Sequence, residues 1–233
     1  AGTALVIMAL AALFSFGYAH GSLVVQGDPA ATYQQLVSSQ ALFKAEIAGW
    51  IVILICDIAA AWGIYIFLKP VHRQLSLLGA WLRLMYTAIL AIAVSCLVFV
   101  TILAHGGGYT SLFEADELPA LAMLFLDAFD AIWSVGLIVF GGHLLIAGLL
   151  AFQSTGVPKL VSLLLLLASI GYITLHLGYT LMPQYGRFFE VYEYVWIVPM
   201  TAGELGFGLW LLLKGGKVSV IRHPLNPPVG PAS

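Results

Sequence analysis

Leu126-Asp-Ala-Phe-Asp-Ala-Ile-Trp-Ser-Val-Gly-Leu-Ile-Val-Phe-Gly-Gly-His-Leu-Leu145 decides the fold. The stretch is apolar enough to cross a bilayer, yet it carries Asp127, Asp130 and His143. An Asp at the centre of a spanning helix costs roughly 2.5 to 3.5 kcal/mol on insertion scales. A helix with three such groups is expected to turn them toward protein. The other spans are then what it turns toward.

Composition agrees. Of 233 residues, 61% are hydrophobic and only 9% charged, where soluble domains average about 25% charged. Several runs exceed the ~18 apolar residues that mark a spanning helix. The net charge of -2 provides no basic field for nucleic acid. Cys56 and Cys96 both fall inside apolar runs and read as small buried residues rather than a disulfide framework.

Six spans are expected, at about 4–25, 42–68, 75–104, 118–153, 160–181 and 195–213. The first run is too long for the ~7–15-residue core of a signal peptide and has no basic start, so it reads as a span. Asp28-Pro29 signals a helix start, and 30–39 reads as a short interfacial helix. His105-Gly-Gly-Gly ends span 3, because glycines do not continue a helix. Residues 112–118 are acidic and read as a short surface helix. Met182-Pro183 ends span 5, and 184–194 has the polar and aromatic character of a membrane interface. Residues 1–214 thus form one transmembrane domain, and 215–233 a polar, Pro-rich tail.

Loop charges segregate. Lys69, Arg73, Lys159, Lys214, Lys217 and Arg222 fall on one side. Asp28, Glu114, Asp116, Glu117, Glu190 and Glu193 fall on the other, with Lys44 and Arg187. The positive-inside rule then puts both termini in the cytoplasm.

Counting from span ends at about 1.5 Å per residue places Asp57, Arg83 and Glu204 near mid-membrane. His143 falls in the inner half. His20, Glu46, Asp127 and His176 fall toward the outer half, with Asp130 between the two groups. Arg83 stays charged and needs a carboxylate, which Asp57 or Glu204 can supply, with Asp130 in reserve. The expected network is Asp57, Arg83, Asp130 and Glu204, with Asp127 and His143 alongside. It is either a register-fixing ion-pair cluster or a site for a ligand or proton. Asp127 and Asp130, three apart, share a helix face. His20, Asp127 and His176 are weak metal candidates, since none of the usual ligand spacings occurs. His20 and His176 are also the pair to consider for bis-imidazole haem ligation. The glycines of spans 4 and 6 suggest close helix packing. The sequence names no cofactor.

Several motifs carry a family resemblance: Gly21-Ser-Leu-Val-Val-Gln-Gly-Asp-Pro-Ala-Ala-Thr, Cys56-Asp57, Leu68-Lys-Pro-Val and Trp81-Leu-Arg-Leu. Further along stand Leu124-Phe-Leu-Asp-Ala-Phe, Gly136-Leu-Ile-Val-Phe-Gly-Gly-His-Leu-Leu, Gly156-Val-Pro-Lys, Gly203-Glu-Leu and Leu209-Trp-Leu-Leu. In this order they resemble the DUF4386 family of small polytopic bacterial membrane proteins. The resemblance implies a fold and a location, not a reaction, and a short basic segment before Ala1. Ala45-Glu-Ile-Ala-Gly-Trp departs from the family pattern, where a Gly and an Asp are expected.

The expected protein is an all-α, six-helix bundle in a bacterial inner membrane. The leading function is non-enzymatic: holding a small or lipidic ligand, or serving as accessory subunit of a membrane complex. A proton- or ion-coupled carrier using Asp57, Arg83 and Glu204 is the second reading. An intramembrane metal or haem enzyme using Asp127, Asp130 and the histidines is the third. Expected partners are membrane lipids, other membrane subunits or a second copy of the chain, and no nucleic acid. No phosphate loop, dinucleotide fingerprint or Gly-x-Ser-x-Gly occurs.

Overall fold

The computed structural model describes residues 1–108, 110–114 and 117–217. Asp116, Arg222 and the rest of the expected tail beyond Lys217 lie outside the described residues. Within them the chain is all-α, without a strand. Six helices are long and apolar enough to cross a membrane, so this is a multi-pass membrane protein.

The first span opens as α1 (Gly2–Ala12), continues as a π-helix over Leu13–His20 and closes with a turn at Gly21–Leu23. α2 (Pro29–Ser38) is the short helix expected after Asp28-Pro29. The Asp28 carboxylate accepts from the Ala31 N–H at 2.9 Å, and Pro29 takes the first turn. Both are favoured there, since the first N–H groups of a helix have no internal partner. The remaining spans are α3 (Gln40–Leu68), α4 (Arg73–His105), α5 (Glu117–Gln153), α6 (Lys159–Leu181) and α7 (Gly186–Lys214). α4 ends at Gly106, whose φ of 64° suits glycine.

Two boundaries differ from expectation. Among the described residues of the segment after α4, Thr110–Leu112 forms a 3-10 turn, and helix resumes at Glu117. α7 starts at Gly186 rather than near 195, because neither Gly nor Pro occurs between Gly186 and Pro199. The aromatic interface segment is therefore the first two turns of the last helix.

The chain divides into two compact units that share the long helices. One comprises residues 1–6, 57–86 and from 137 onward; the other comprises 7–56 and 87–136. For brevity they are the Arg83 unit and the His20 unit. Leu68, Leu150, Leu165 and Leu175 are fully buried in the first, and Leu23, Leu36, Leu97 and Phe129 in the second. α5 is the most enclosed span, with 56% of its apolar window buried against 28% for the first and last spans. Cys56 and Cys96 are not joined in a disulfide; Cys96 is buried, as expected of both, whereas Cys56 is only half-buried.

In the Arg83 unit, glycines set the helix separation. A Cβ on Gly203 of α7 would lie 2.6 Å from the Leu164 carbonyl of α6, and one on Gly141 of α5 would lie 2.6 Å from Ile173 Cγ1. Backbones at this distance exclude any larger side chain. A Cβ on Gly206 meets nothing within 4 Å. Gly203→Ala is therefore expected to lower the thermal unfolding midpoint in detergent by several degrees, the scale of ~1–3 kcal/mol of overpacking. Gly206→Ala should leave it unchanged, and equal effects would contradict close α6–α7 packing.

Candidate functional site

The Arg83 unit holds a buried charge centre. Asp57, Arg83, His143 and Glu204 stand ten or eleven residues from the nearer helix ends Leu68, Arg73, Gln153 and Lys214. At about 1.5 Å per residue that is about 15 Å, half of a ~30 Å hydrocarbon core. His143, expected in the inner half, thus falls at the depth of the other three.

Arg83 and Asp57 are almost fully buried, at 1% and 0% exposure. Arg83 Nε and Nη2 both donate to Asp57 Oδ1, at 2.9 and 2.7 Å. Nη1 lies 3.2 Å from His143 Nε2. His143 Nδ1 is 2.8 Å from the Gly79 carbonyl, which can only accept. Nδ1 therefore carries the proton, and Nε2 is the acceptor for the guanidinium. The Arg83 guanidinium also lies over the Phe140 ring, 5.2 Å from its centroid, where the ring face attracts a cation. Glycine at 79 leaves room for this: a Cβ there would come 3.1 Å from Ile146.

Glu204 completes the centre. The Tyr172 hydroxyl donates to its carboxylate, and Arg83 and Asp57 are its electrostatic neighbours. Two buried carboxylate oxygens of this unit, Asp57 Oδ2 and Glu204 Oε1, have no hydrogen-bond partner. One guanidinium therefore serves two carboxylates, and each carboxylate keeps a free acceptor. His176, a weak metal and haem candidate, stacks on Tyr172 at 6.0 Å instead.

The His20 unit holds a second polar cluster. His20 Nδ1 is 2.8 Å from Glu46 Oε1, with His20 8% and Glu46 0% exposed. The π-helix makes this pairing. Its i→i+5 bonding stacks residues five apart on one side, whereas about 3.6 residues per α-turn would separate them. Ser15 and His20 consequently both face α3, where Ser15 Oγ donates to the Glu46 carbonyl at 3.1 Å. Close approach at Gly49, where a Cβ would collide with Ser15 Oγ, permits the contact. Around the pair, Phe16 stacks on His20 at 5.6 Å, and Trp50 meets Phe129 and Trp133 edge-on at 5.3 and 5.0 Å. Glu46 Oε2 and Trp50 Nε1 are buried without a hydrogen-bond partner.

Asp130 belongs to this cluster rather than to Arg83: its electrostatic partners are His20, Asp127 and Glu46. Asp127 and Asp130 are not turned into protein. Both are exposed. α5 has 37 residues, nearly twice the ~20 that a bilayer core requires. Twenty residues back from Gln153 reach about Trp133, so both aspartates lie beyond the stretch that hydrocarbon must cover. Among the described residues no three or more His, Cys, Asp or Glu side chains gather as a metal would require. His20 and Asp127, two of the metal candidates, have no third ligand there.

Sequence reading had Arg83, Asp57 and Glu204 as partners. It missed Ser15, Phe16, Trp50, Phe129 and the Glu46–His20 bond. The π-helix that creates the bond leaves no mark in residue spacing that assumes α-winding. Gly79, Phe140 and Tyr172 were legible only as a small residue and aromatics in apolar runs.

The family model described as "Domain of unknown function (DUF4386)" matches residues 1–215. A protein of Archaeoglobus fulgidus, described as "Uncharacterized protein", is 30% identical over 176 residues, covering 76% of this chain and 87% of the relative. No solved structure matches.

Proposed function

The chain belongs to the DUF4386 family, and we propose that this member takes up and releases a proton or a monovalent cation at Asp57 and Glu204, as a coupled carrier does. The observation that carries this is the pair of unpartnered buried oxygens, Asp57 Oδ2 and Glu204 Oε1, beside a single guanidinium. A buried carboxylate is stable only when its charge is matched or removed. Arg83 carries a single positive charge and places Nε and Nη2 on one Asp57 oxygen and Nη1 at His143, so its charge alone cannot balance two ionised carboxylates. A proton or small cation supplies what is missing. Tyr172 holds Glu204 in place, and the Nδ1–H tautomer of His143 keeps Nε2 as an acceptor for Arg83. Intramembrane ionisable chains of this kind mark ion and proton pathways.

The charged loops support a cytoplasmic-membrane location with both termini in the cytoplasm. A C-terminal fluorescent-protein fusion should then fluoresce while a C-terminal alkaline phosphatase fusion stays inactive. The reverse pattern would invert the orientation.

The binding proposal is read by infrared difference spectroscopy on vesicles across a pH step and, separately, a sodium step. Wild-type protein should show a carboxyl-region change in at least one step, and Glu204→Gln should diminish it. A spectrum that Glu204→Gln leaves unaltered in both steps would overturn the assignment.

A further inference from the structure

We propose that the His20 unit carries a second site, for the ammonium group of an amine-bearing ligand, formed by Asp127, Asp130, Trp133, Phe16 and the His20–Glu46 pair. This goes beyond the Arg83 centre and does not depend on it. Asp127, Asp130 and Trp133 are spaced by three on α5 and line one stripe of it. Both aspartates are exposed. Neither is held by an ion pair: among the described residues those pairs are Arg83–Asp57 and His20–Glu46. The basic group of this cluster, His20, is already bound to Glu46 at 2.8 Å. The stripe thus presents carboxylates with no cation of their own.

Aromatic faces complete the chemistry. Phe16 is 44% exposed and meets Trp133 edge-on at 5.0 Å. The Phe16 ring also stacks on His20, whose electrostatic partners include Asp130, so rings and carboxylates belong to one patch. Carboxylate plus aromatic face is the combination that receives an ammonium, because the ring quadrupole adds to the ion pair. An independent observation points the same way. Glu46, an electrostatic partner of Asp130, is fully buried and holds His20 with one oxygen, yet its Oε2 has no hydrogen-bond partner. A buried carboxylate oxygen of the same cluster thus also lacks a hydrogen-bond donor.

Position selects the source of the amine. Both aspartates lie beyond the ~20 residues of α5 needed for the hydrocarbon core, in the zone of lipid headgroups, with Trp133 at the aromatic belt. The same ammonium chemistry is offered by an ethanolamine headgroup and by a soluble amine.

Native mass spectrometry of the full chain in mild detergent distinguishes them. Phosphatidylethanolamine is added in competition with phosphatidylglycerol and neutral diacylglycerol, neither of which has an ammonium. Wild-type protein should retain phosphatidylethanolamine over diacylglycerol by roughly tenfold, the scale of one cation–π contact plus one partly exposed ion pair. Asp127→Asn with Asp130→Asn should abolish that preference. Both positions are exposed, so the variant should keep the wild-type melting temperature. Displacement of the lipid by millimolar free ethanolamine assigns the site to amines in general. Retention against it assigns the site to the lipid headgroup. Equal retention of phosphatidylethanolamine and diacylglycerol, or a preference that survives both substitutions, would overturn the proposal.

Discussion

An arginine cannot shed its charge, and in a membrane-spanning helix it cannot reach water at mid-depth. Arg83 is that constraint in this protein, and its surroundings in the Arg83 unit answer it one donor at a time. Asp57 takes two donors on a single oxygen. His143 takes a third, which fixes its tautomer and commits its other nitrogen to the Gly79 carbonyl. Phe140 covers the guanidinium face. Each answer restricts a helix: α3 through Asp57, α4 through Arg83 and Gly79, α5 through His143 and Phe140. A buried ion pair is weak evidence for stability in itself, but this one sets the register of three helices at a common depth.

The answer is incomplete in a specific sense. Arg83 satisfies one oxygen of Asp57 and leaves the other without a partner, and Glu204 adds a second carboxylate with a free oxygen. The His20 unit repeats the pattern with a histidine in place of the arginine. His20 satisfies one oxygen of Glu46 and leaves the other free, while Asp127 and Asp130 stand exposed nearby. Both centres leave buried carboxylate oxygens without a donor. A purely structural ion-pair cluster would be expected to balance. Surplus acceptors beside a fixed cation are what a site for an exchangeable proton or cation requires.

Much of this was legible in the sequence. Run length and composition specify the spans, because hydrocarbon admits little else. Arg83 demanded a carboxylate at equal depth, and Asp57 and Glu204 were the residues that counting supplied. Asp130 was misplaced for the opposite reason. Depth was counted from the ends of the expected span 118–153, whereas a helix of 37 residues overhangs a core that needs ~20, and charges on the overhang need no burial. The Glu46–His20 pair escaped because sequence periodicity assumes α-winding. A π-helix shifts which residues share a face, and Ser15 and His20 come together only under that winding. The start of α7 was missed because interfacial aromatics read as a loop, although nothing in Gly186–Tyr194 prevents a helix.

The most direct test is a double-mutant cycle on Arg83 and Asp57, using Arg83→Met, Asp57→Leu and the pair, with unfolding free energy measured in lipid bilayers. Each single change should cost about 3–5 kcal/mol, because it strands a buried charge. The double variant should be more stable than either single one, giving a large coupling. Single effects that simply add, or that fall within experimental error of zero, would show that Arg83 and Asp57 do not organise this unit.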